Sequence, residues 1–224
     1  MSFNVAIDGP AGAGKSTIAK KVAKELGYIY VDTGAMYRAM ALFLIKNHVE
    51  KEDQEAIGVK CQDADISIRY ENGEQIVLLN GENVNGFIRT EEVGNMASVS
   101  SANPKLREKL VELQKKLAAE ADVIMDGRDI GTCVLPNADV KVYLTASSAV
   151  RAMRRFKELE AKGVDCDLTQ IEADIIERDH RDMTREHSPL RQAEDAVLVD
   201  SSDMTIDQVV DKICSLAREK SNQA

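Results

Sequence analysis

The stretch that most constrains the fold is residues 9–16, GPAGAGKS, which matches the pattern G-x-x-x-x-G-K-[ST] in full. It follows a short apolar run at residues 3–7 that is typical of a buried strand. It leads into Lys15–Leu26, where Ile18, Val22 and Leu26 recur at helical spacing and Gly27 marks the predicted end of the helix. A strand, a glycine-rich loop and a helix in this order form the context that a phosphate-binding loop requires.

The residue types in this loop indicate a nucleoside triphosphate bound with Mg²⁺. Small residues let successive backbone amides point at an anion, and the helix N-terminus adds partial positive charge. Lys15 is predicted to reach the β- and γ-phosphates, and Ser16 to offer its hydroxyl to Mg²⁺. Asp126, after a second apolar strand, is the candidate carboxylate for the metal, acting through water. The residues predicted to bind ATP are Gly9, Pro10, Ala11, Gly12, Ala13, Gly14, Lys15, Ser16 and Thr17.

Strand and helix patterns alternate through most of the chain, which predicts an α/β fold with three layers and a mostly parallel central sheet. Ligands are then expected beyond the carboxyl ends of the strands. Residues 28–31 are a predicted strand, and residues 33–47 a helix with Thr33 as its cap. Alternation at residues 66–70, a turn at 71–74 and a return run at 75–79 predict a hairpin, interpreted as part of an inserted lobe.

The second half of the chain returns to the strand–helix alternation. Asn103 and Pro104 are predicted to open a long charged helix at residues 105–121. Further strands are predicted at residues 123–125, 140–144 and 196–200, and further helices at 147–161, 168–184 and 206–218.

Composition narrows the class of protein. A net charge of −9 argues against a chain that mainly coats nucleic acid or anionic membrane. The four cysteines are far apart, without a C-x-x-C pair, which disfavours a zinc site or a disulfide scaffold. No run approaches the roughly 20 apolar residues of a membrane span, and the N-terminus resembles no targeting signal. We therefore expect a cytoplasmic protein, and a monomer because no long apolar stripe is left over.

Three classes of triphosphate-binding protein remain at this point: a switch GTPase, a motor or assembly ATPase, and a small-molecule kinase. A GTPase would carry an N-K-x-D motif, and no Asn-Lys pair occurs in the chain. A motor usually needs more chain for its partner-binding modules. The sequence therefore favours a kinase, either for a nucleotide or for another small acceptor such as shikimate or dephospho-coenzyme A. A nucleotide-dependent switch remains the alternative from a different class.

Arginines supply the second phosphate signal, because the planar guanidinium pairs well with phosphate oxygens. Seven of the thirteen arginines lie between residues 151 and 191. Helical spacing places Arg151, Arg154 and Arg155 on one face, and Arg178, Asp182 and Arg185 on another. DTGAMYR at residues 32–38 and DGRDIGT at 126–132 follow predicted strands and add Arg38 and Arg128. His180 and His187 are interpreted as surface residues.

Together, IDGPAGAGKST, DTGAMYR, DGRDIGT and RDHRDMTRE followed by SPL resemble the bacterial cytidylate kinases, which are nucleoside monophosphate kinases. The resemblance covers nearly the whole chain. The pattern D-G-[FY]-P-R of adenylate and uridylate kinases is absent, and DGRD stands in its place. The resemblance implies one P-loop kinase domain, with a core at residues 1–59, 104–150 and 171–224. It also implies an enlarged monophosphate-binding lobe at about 60–103 and a short helical lid at about 151–170.

The resemblance also implies a reaction and a set of site residues. ATP and CMP or dCMP would give ADP and CDP or dCDP, without a general base because the attacking phosphate is already ionised. The acceptor phosphate would be bound by Thr33, Tyr37, Arg38 and Arg128. The base would be read by Ser98, Arg107 and Asp129 with Arg185 nearby, and the ribose held by Arg178 and Asp182. The implied catalytic residues are Lys15, Arg128, Arg151, Arg154 and Arg155, the last three on the lid.

Overall fold

The computed structural model describes residues 2–223, which form two compact units. The first contains Ser2 and residues 29–123, and the second contains residues 3–28 and 124–223. The strands are β1 (Asn4–Asp8), β2 (Ile29–Asp32), β3 (Ile66–Glu71), β4 (Glu74–Leu79), β5 (Glu82–Asn83), β6 (Val123–Gly127), β7 (Val140–Thr145) and β8 (Val197–Asp200). The helices are α1 (Lys15–Leu26), α2 (Thr33–Lys46), α3 (Gln54–Lys60), α4 (Glu91–Ser100), α5 (Pro104–Glu120), α6 (Ser148–Ala161), α7 (Leu168–Thr184) and α8 (Ile206–Ser221). A 3₁₀ turn at Cys61–Asp63 and a π-helical turn at Ile130–Val134 complete the elements.

The second unit is built on a sheet in the order β6-β1-β7-β8. β1 pairs with β7 in parallel, with Ile7 opposite Val142, and β7 pairs with β8 in parallel. All five residues of β6 and four of the five in β1 are buried, as expected for strands covered on both faces. Helices α1 and α8 pack against each other beside this sheet. The predicted α/β fold with a mostly parallel sheet flanked by helices is confirmed.

Helix boundaries follow local capping chemistry. Helix α1 ends at Gly27, which has a left-handed φ of 74° and was the predicted stop. Asn103 accepts hydrogen bonds from the amides of Lys105 and Leu106, so the predicted start of α5 is confirmed. The prediction that Thr33 caps α2 is wrong, because the Asp32 carboxylate accepts the Ala35 amide at 2.9 Å and Thr33 is already helical.

The first unit contains the predicted hairpin. Ile66 lies opposite Leu79 and Glu71 opposite Glu74, so β3 and β4 pair along their full length. Asn72 and Gly73 form the turn with φ values of 52° and 79°, the left-handed backbone that a two-residue hairpin loop needs. The predicted lobe at 60–103 lies inside this unit, which extends further in both directions, and the bounds of the lobe stay a prediction.

Helices α3 and α4 of this unit were not predicted from the sequence. Thr90 caps α4 through the amide of Val93, and Val93 and Met96 are buried on one side of the helix. Helix α2 carries much of the core, and its buried Met36, Met40 and Leu44 belong to the same cluster as the α4 residues. None of the helices in residues 2–223 combines the length and the hydropathy of a membrane span.

Candidate active site

The phosphate loop connects β1 to α1 in the second unit, and its shape depends on glycine. A Cβ atom on Gly9 would lie 1.9 Å from the Leu144 carbonyl oxygen, so the loop starts in close contact with the backbone of β7. Gly14 has a left-handed φ of 84° at the N-cap of α1. This conformation lets the backbone turn into the helix so that the first amides of α1 remain available to an anion.

Lys15 is buried at the start of α1, with 6% of its surface exposed. Its Nζ donates a hydrogen bond to the Pro10 carbonyl at 2.7 Å, so the side chain folds back over the loop. Burial, followed by the positive charge of Arg128, holds the pKa of Lys15 well below its ordinary value. A phosphate beside Nζ would favour the protonated form, which suits this lysine to a triphosphate ligand.

Ser16 and Asp126 are brought together as predicted for a metal site. The Ser16 hydroxyl donates to Asp126 Oδ2 at 3.0 Å, and Asp126 is buried near the end of β6. Hydroxyl and carboxylate oxygens are the hard ligands that Mg²⁺ takes in proteins, usually together with water and phosphate oxygens. Residues 2–223 contain no group of three or more His, Cys, Asp and Glu side chains that could hold a metal. The donor types of the Ser16–Asp126 pair fit Mg²⁺.

Arginines and carboxylates form a cluster next to this loop. Arg128 Nε donates to Asp182 Oδ2 at 2.9 Å, and Arg185 lies 3.8 Å from Asp129. Burial raises the pKa of the Asp182 carboxyl, but Arg128 and its neighbours outweigh burial and leave the pKa below its usual value. The charges of Arg128 and Asp182 also act on Lys15, which places the cluster beside the phosphate loop.

The three predicted lid arginines of α6 have different partners. Arg151 is buried, and it donates from Nε to the Ala146 carbonyl and from Nη1 to the Ala11 carbonyl, both at 2.9 Å. Its Nη2 pairs with Asp179 Oδ2 at 2.7 Å. Arg154 donates to the Ser201 carbonyl at 2.8 Å. Arg155 pairs with Glu158 on the surface. Of the three, Arg151 directly supports the phosphate loop.

Of the other predicted residues, Arg178 lies on α7 in the second unit, and the rest belong to the first unit. The Arg107 guanidinium lies over the Tyr37 ring, 5.4 Å from its centroid, and Arg107 Nη1 donates to the Ser101 carbonyl. Ser98 Oγ on α4 is buried without a hydrogen-bond partner among the described residues, so it can serve a ligand. Thr33, Tyr37 and Arg38 all lie in the first two turns of α2.

Two buried carboxylates of the second unit were not among the site residues predicted from the sequence. Asp8 ends β1 and accepts the amides of Ile130 and Gly131. Asp179 pairs with Arg151 through the packing of α6 against α7. For Asp8 the sequence holds a signal, an acidic residue at the end of a buried strand beside the phosphate loop. For Asp179 it holds none, since the two partners lie far apart in the chain.

Asp179→Ala is expected to lower the free energy of unfolding by about 3 kcal/mol, because it leaves the buried Arg151 guanidinium without its ionic partner. Urea denaturation measures the change. Glu158→Ala is the matched control, since Glu158 pairs with arginine on the surface and its loss should cost less than about 1 kcal/mol. Equal effects of the two substitutions would contradict a structural role for Asp179.

The loop and the arginine cluster carry groups suited to binding phosphate, and the Ser16–Asp126 pair carries oxygens suited to its metal. A loop of this kind after the first strand of a parallel sheet, with arginines beside its lysine, defines the class: a P-loop phosphotransferase.

Comparison with known proteins gives the family. A family model described as cytidylate kinase matches residues 5–219. A protein named cytidylate kinase from Listeria welshimeri is 54% identical over 219 residues, covering 97% of each chain. Another of that name from Caldicellulosiruptor bescii is 51% identical over 214 residues, covering 96% of this chain and 95% of the relative. The chain belongs to the cytidylate kinase family and is a kinase, which confirms the resemblance seen in its motifs.

Solved structures agree on the fold. The structure of a gluconokinase from Sinorhizobium meliloti superposes with a TM-score of 0.51 at 13% identity, covering 99% of this chain and 95% of the other. At this identity the likeness concerns the fold alone, and it agrees with the P-loop α/β architecture described above.

Proposed function

We propose that this enzyme transfers the γ-phosphoryl group of ATP to CMP or dCMP and releases ADP with CDP or dCDP. The observation that carries the proposal is the cluster beside Lys15 in which Arg128 pairs with Asp182 and Arg185 lies near Asp129. A kinase that acts on a phosphate must neutralise two phosphate groups that approach each other, and arginines beside a phosphate loop do so. The family membership of the chain supports a cytidine nucleotide as the acceptor.

In this proposal, the residues of the phosphate loop, 9–17, bind ATP. Lys15 exchanges its bond to the Pro10 carbonyl for one to the β- and γ-phosphates. Ser16 would hold Mg²⁺ directly and Asp126 would hold it through water. The metal would supply positive charge to the phosphate oxygens during transfer. Arg151 fixes the loop through Ala11.

The acceptor is proposed to be bound through charge and hydrogen-bond direction. Arg38 and Arg128, with the Thr33 and Tyr37 hydroxyls, would hold the acceptor phosphate. An ionised Asp129 accepts from N4 of cytosine and Arg107 donates to N3 and O2, with Ser98 and Arg185 assisting, while Arg178 and Asp182 hold the ribose. Uracil presents a carbonyl and an N–H in the reverse order. A hydrogen-bonding site can reject such a mismatch by a factor of about 10⁴.

The proposed chemistry needs no general base. The attacking atom is an oxygen of a phosphate that is ionised at neutral pH, so no proton has to leave before the bond to the γ-phosphorus forms. Catalysis then consists of positioning and electrostatic stabilisation. Lys15 and Arg128 supply positive charge, and Arg151, Arg154 and Arg155 would do so as lid residues.

We also propose that the protein acts as a monomer in the cytoplasm. All four cysteines are free thiols, and Cys61 and Cys214 are buried, which is consistent with a reducing compartment. Burial raises the pKa of the Cys214 thiol to about 11, so this side chain stays protonated and unreactive.

The test is ADP release with ATP and Mg²⁺ against CMP, dCMP, UMP, AMP, GMP and shikimate. We expect turnover with CMP and dCMP and at least about 10²-fold lower kcat/KM with the other acceptors. Turnover with AMP or UMP instead would contradict the base assignment but leave the phosphate chemistry intact. Turnover with shikimate alone, or with none of the six, would overturn the proposed function.

A further inference from the structure

Asp8 occupies a place where the reaction as proposed gives it no role. It ends β1 directly before the phosphate loop and is 5% exposed. Oδ1 accepts the amide of Ile130 at 2.8 Å, and Oδ2 accepts the amide of Gly131 at 2.7 Å. Both oxygens of one buried carboxylate are therefore committed to two consecutive backbone amides far away in the sequence.

These two amides follow directly after the residues proposed to contact the acceptor. Arg128 and Asp129 precede Ile130, and the Asp129 carbonyl accepts the amides of Cys133 and Val134 in the π-helical turn. Gly131 lies close to its surroundings, since a Cβ atom there would be 3.1 Å from Lys141 Cδ and 3.4 Å from Asp8 Oδ2. The backbone after Asp129 is thus held between the Asp8 carboxylate and the Lys141 side chain.

We propose that Asp8 is a positioning residue that fixes Arg128 and Asp129 for the acceptor by anchoring the backbone amides of Ile130 and Gly131. This inference rests on the function proposed above. Asp8 itself contacts neither phosphate nor base in this account. Its effect is expected on acceptor binding and on cytosine preference, because a small displacement of either side chain breaks bonds that must be aligned.

The ionisation of Asp8 gives this role a pH dependence. Burial raises the pKa of Asp8 from 3.8 to about 6. The hydrogen bonds from the two backbone amides lower the pKa, but burial outweighs them. The charged and titratable groups that face it are Asp129, which raises the pKa further, Lys15, which lowers it, and Tyr143 on β7. Asp8 is therefore a carboxylate above pH 6 and accepts both amides fully, whereas below pH 6 it is protonated and holds the segment less firmly.

The first experiment needs no substrate. In the wild-type protein, the ¹H and ¹⁵N amide shifts of Ile130 and Gly131 are expected to titrate together with a midpoint near pH 6. In Asp8→Asn this titration should disappear. Asp139→Asn is the matched control, because Asp139 accepts the Asn4 amide at 2.8 Å at the other end of β1 and should leave the titration unchanged. Flat wild-type shifts between pH 5 and 7 would overturn the inference.

The second experiment measures kinetics at pH 8. Asp8→Asn is expected to lower kcat/KM for CMP by about 10- to 100-fold and to reduce the CMP-to-UMP preference. KM for ATP should change less than about threefold, because Asp8 is the weakest of the named charges acting on Lys15. The wild-type-to-variant ratio of kcat/KM for CMP should fall towards one at pH 5.5, since most of the wild-type Asp8 is then protonated and, like the asparagine of the variant, uncharged. The ionisation of CMP itself cancels in this ratio.

The outcomes separate the inference from the proposed function. Absent CMP turnover by the wild-type protein at pH 8 would overturn the proposed function. If the wild-type protein turns over CMP normally and Asp8→Asn behaves like Asp139→Asn in every measurement, the inference is overturned and the proposed function is not. If Asp8→Asn does not fold, the inference is tested on the wild-type protein through the ratio of kcat/KM for CMP to kcat/KM for UMP. The phosphate groups of CMP and UMP ionise alike, so their ionisation cancels in this ratio. That ratio should fall as the pH drops from 8 to 5.5, and a constant ratio would contradict the role of Asp8.

Discussion

Lys15→Met is expected to reduce kcat for phosphoryl transfer by about 10³-fold or more without loss of stability. The Lys15 ammonium is buried against the Pro10 carbonyl, where its charge is available to a triphosphate and to the group in transfer. The same burial makes the charge costly in the absence of ligand, and the lowered pKa of Lys15 reflects this cost. Because the cost is present at every pH below the unfolded pKa, methionine should leave Tm unchanged or raise it at neutral pH.

Steady-state ADP release and thermal unfolding of the same samples measure both effects. Lys24→Met is the matched control, since Lys24 is an exposed lysine in the last turn of α1 and should change neither quantity. A Lys15→Met enzyme that keeps more than about a tenth of wild-type kcat would contradict the assignment of Lys15.

Gly9→Ala is expected to lower the free energy of unfolding by more than about 4 kcal/mol. The new Cβ would lie 1.9 Å from the Leu144 carbonyl oxygen, and Leu144 belongs to β7, which is paired on both sides. Leu144 cannot move away without breaking ladder hydrogen bonds, and the φ of 151° at Gly9 adds backbone strain for any side chain.

Denaturant unfolding of Gly9→Ala and Gly14→Ala measures the effect. Gly14→Ala separates the clash of the new Cβ from the backbone strain. Gly14 has a left-handed φ of 84°, but a Cβ atom there would meet nothing within 4 Å. We expect a cost of about 1–2 kcal/mol for this control, from the backbone alone. Equal losses at Gly9 and Gly14 would contradict the close approach of the loop to β7.

The elements that the sequence predicted correctly are those with strong local signals. The apolar runs of β1 and β6, the glycine after α1 and the Asn-Pro pair before α5 each act within a few residues, so their patterns determine the local structure. The start of α2 shows the limit of this reasoning. Asp32 and Thr33 are adjacent residues that both cap helices well, and the choice depends on where β2 ends.

The contacts of several site residues could not be predicted from the sequence, for a different reason. The arginines were found because their number and spacing are visible, but their partners depend on packing. Arg151 was predicted to close over the triphosphate, whereas its three donors meet Ala146, Ala11 and Asp179 in this structure. Such pairing follows from the approach of α6 to α7 and from the course of the loop, neither of which a sequence pattern encodes. The predicted lid role of Arg151, Arg154 and Arg155 stays a prediction.

The most direct test of the account is the ratio of kcat/KM for CMP to that for UMP in the wild-type protein and in Asp129→Asn. The carboxylate can only accept from cytosine N4, whereas an asparagine amide of the same shape can also donate to the carbonyl that uracil presents there. We predict a wild-type ratio of at least about 10² and a fall of at least about tenfold in the variant, through improved use of UMP as well as weaker use of CMP. An unchanged ratio would contradict the claim that Asp129 reads the base.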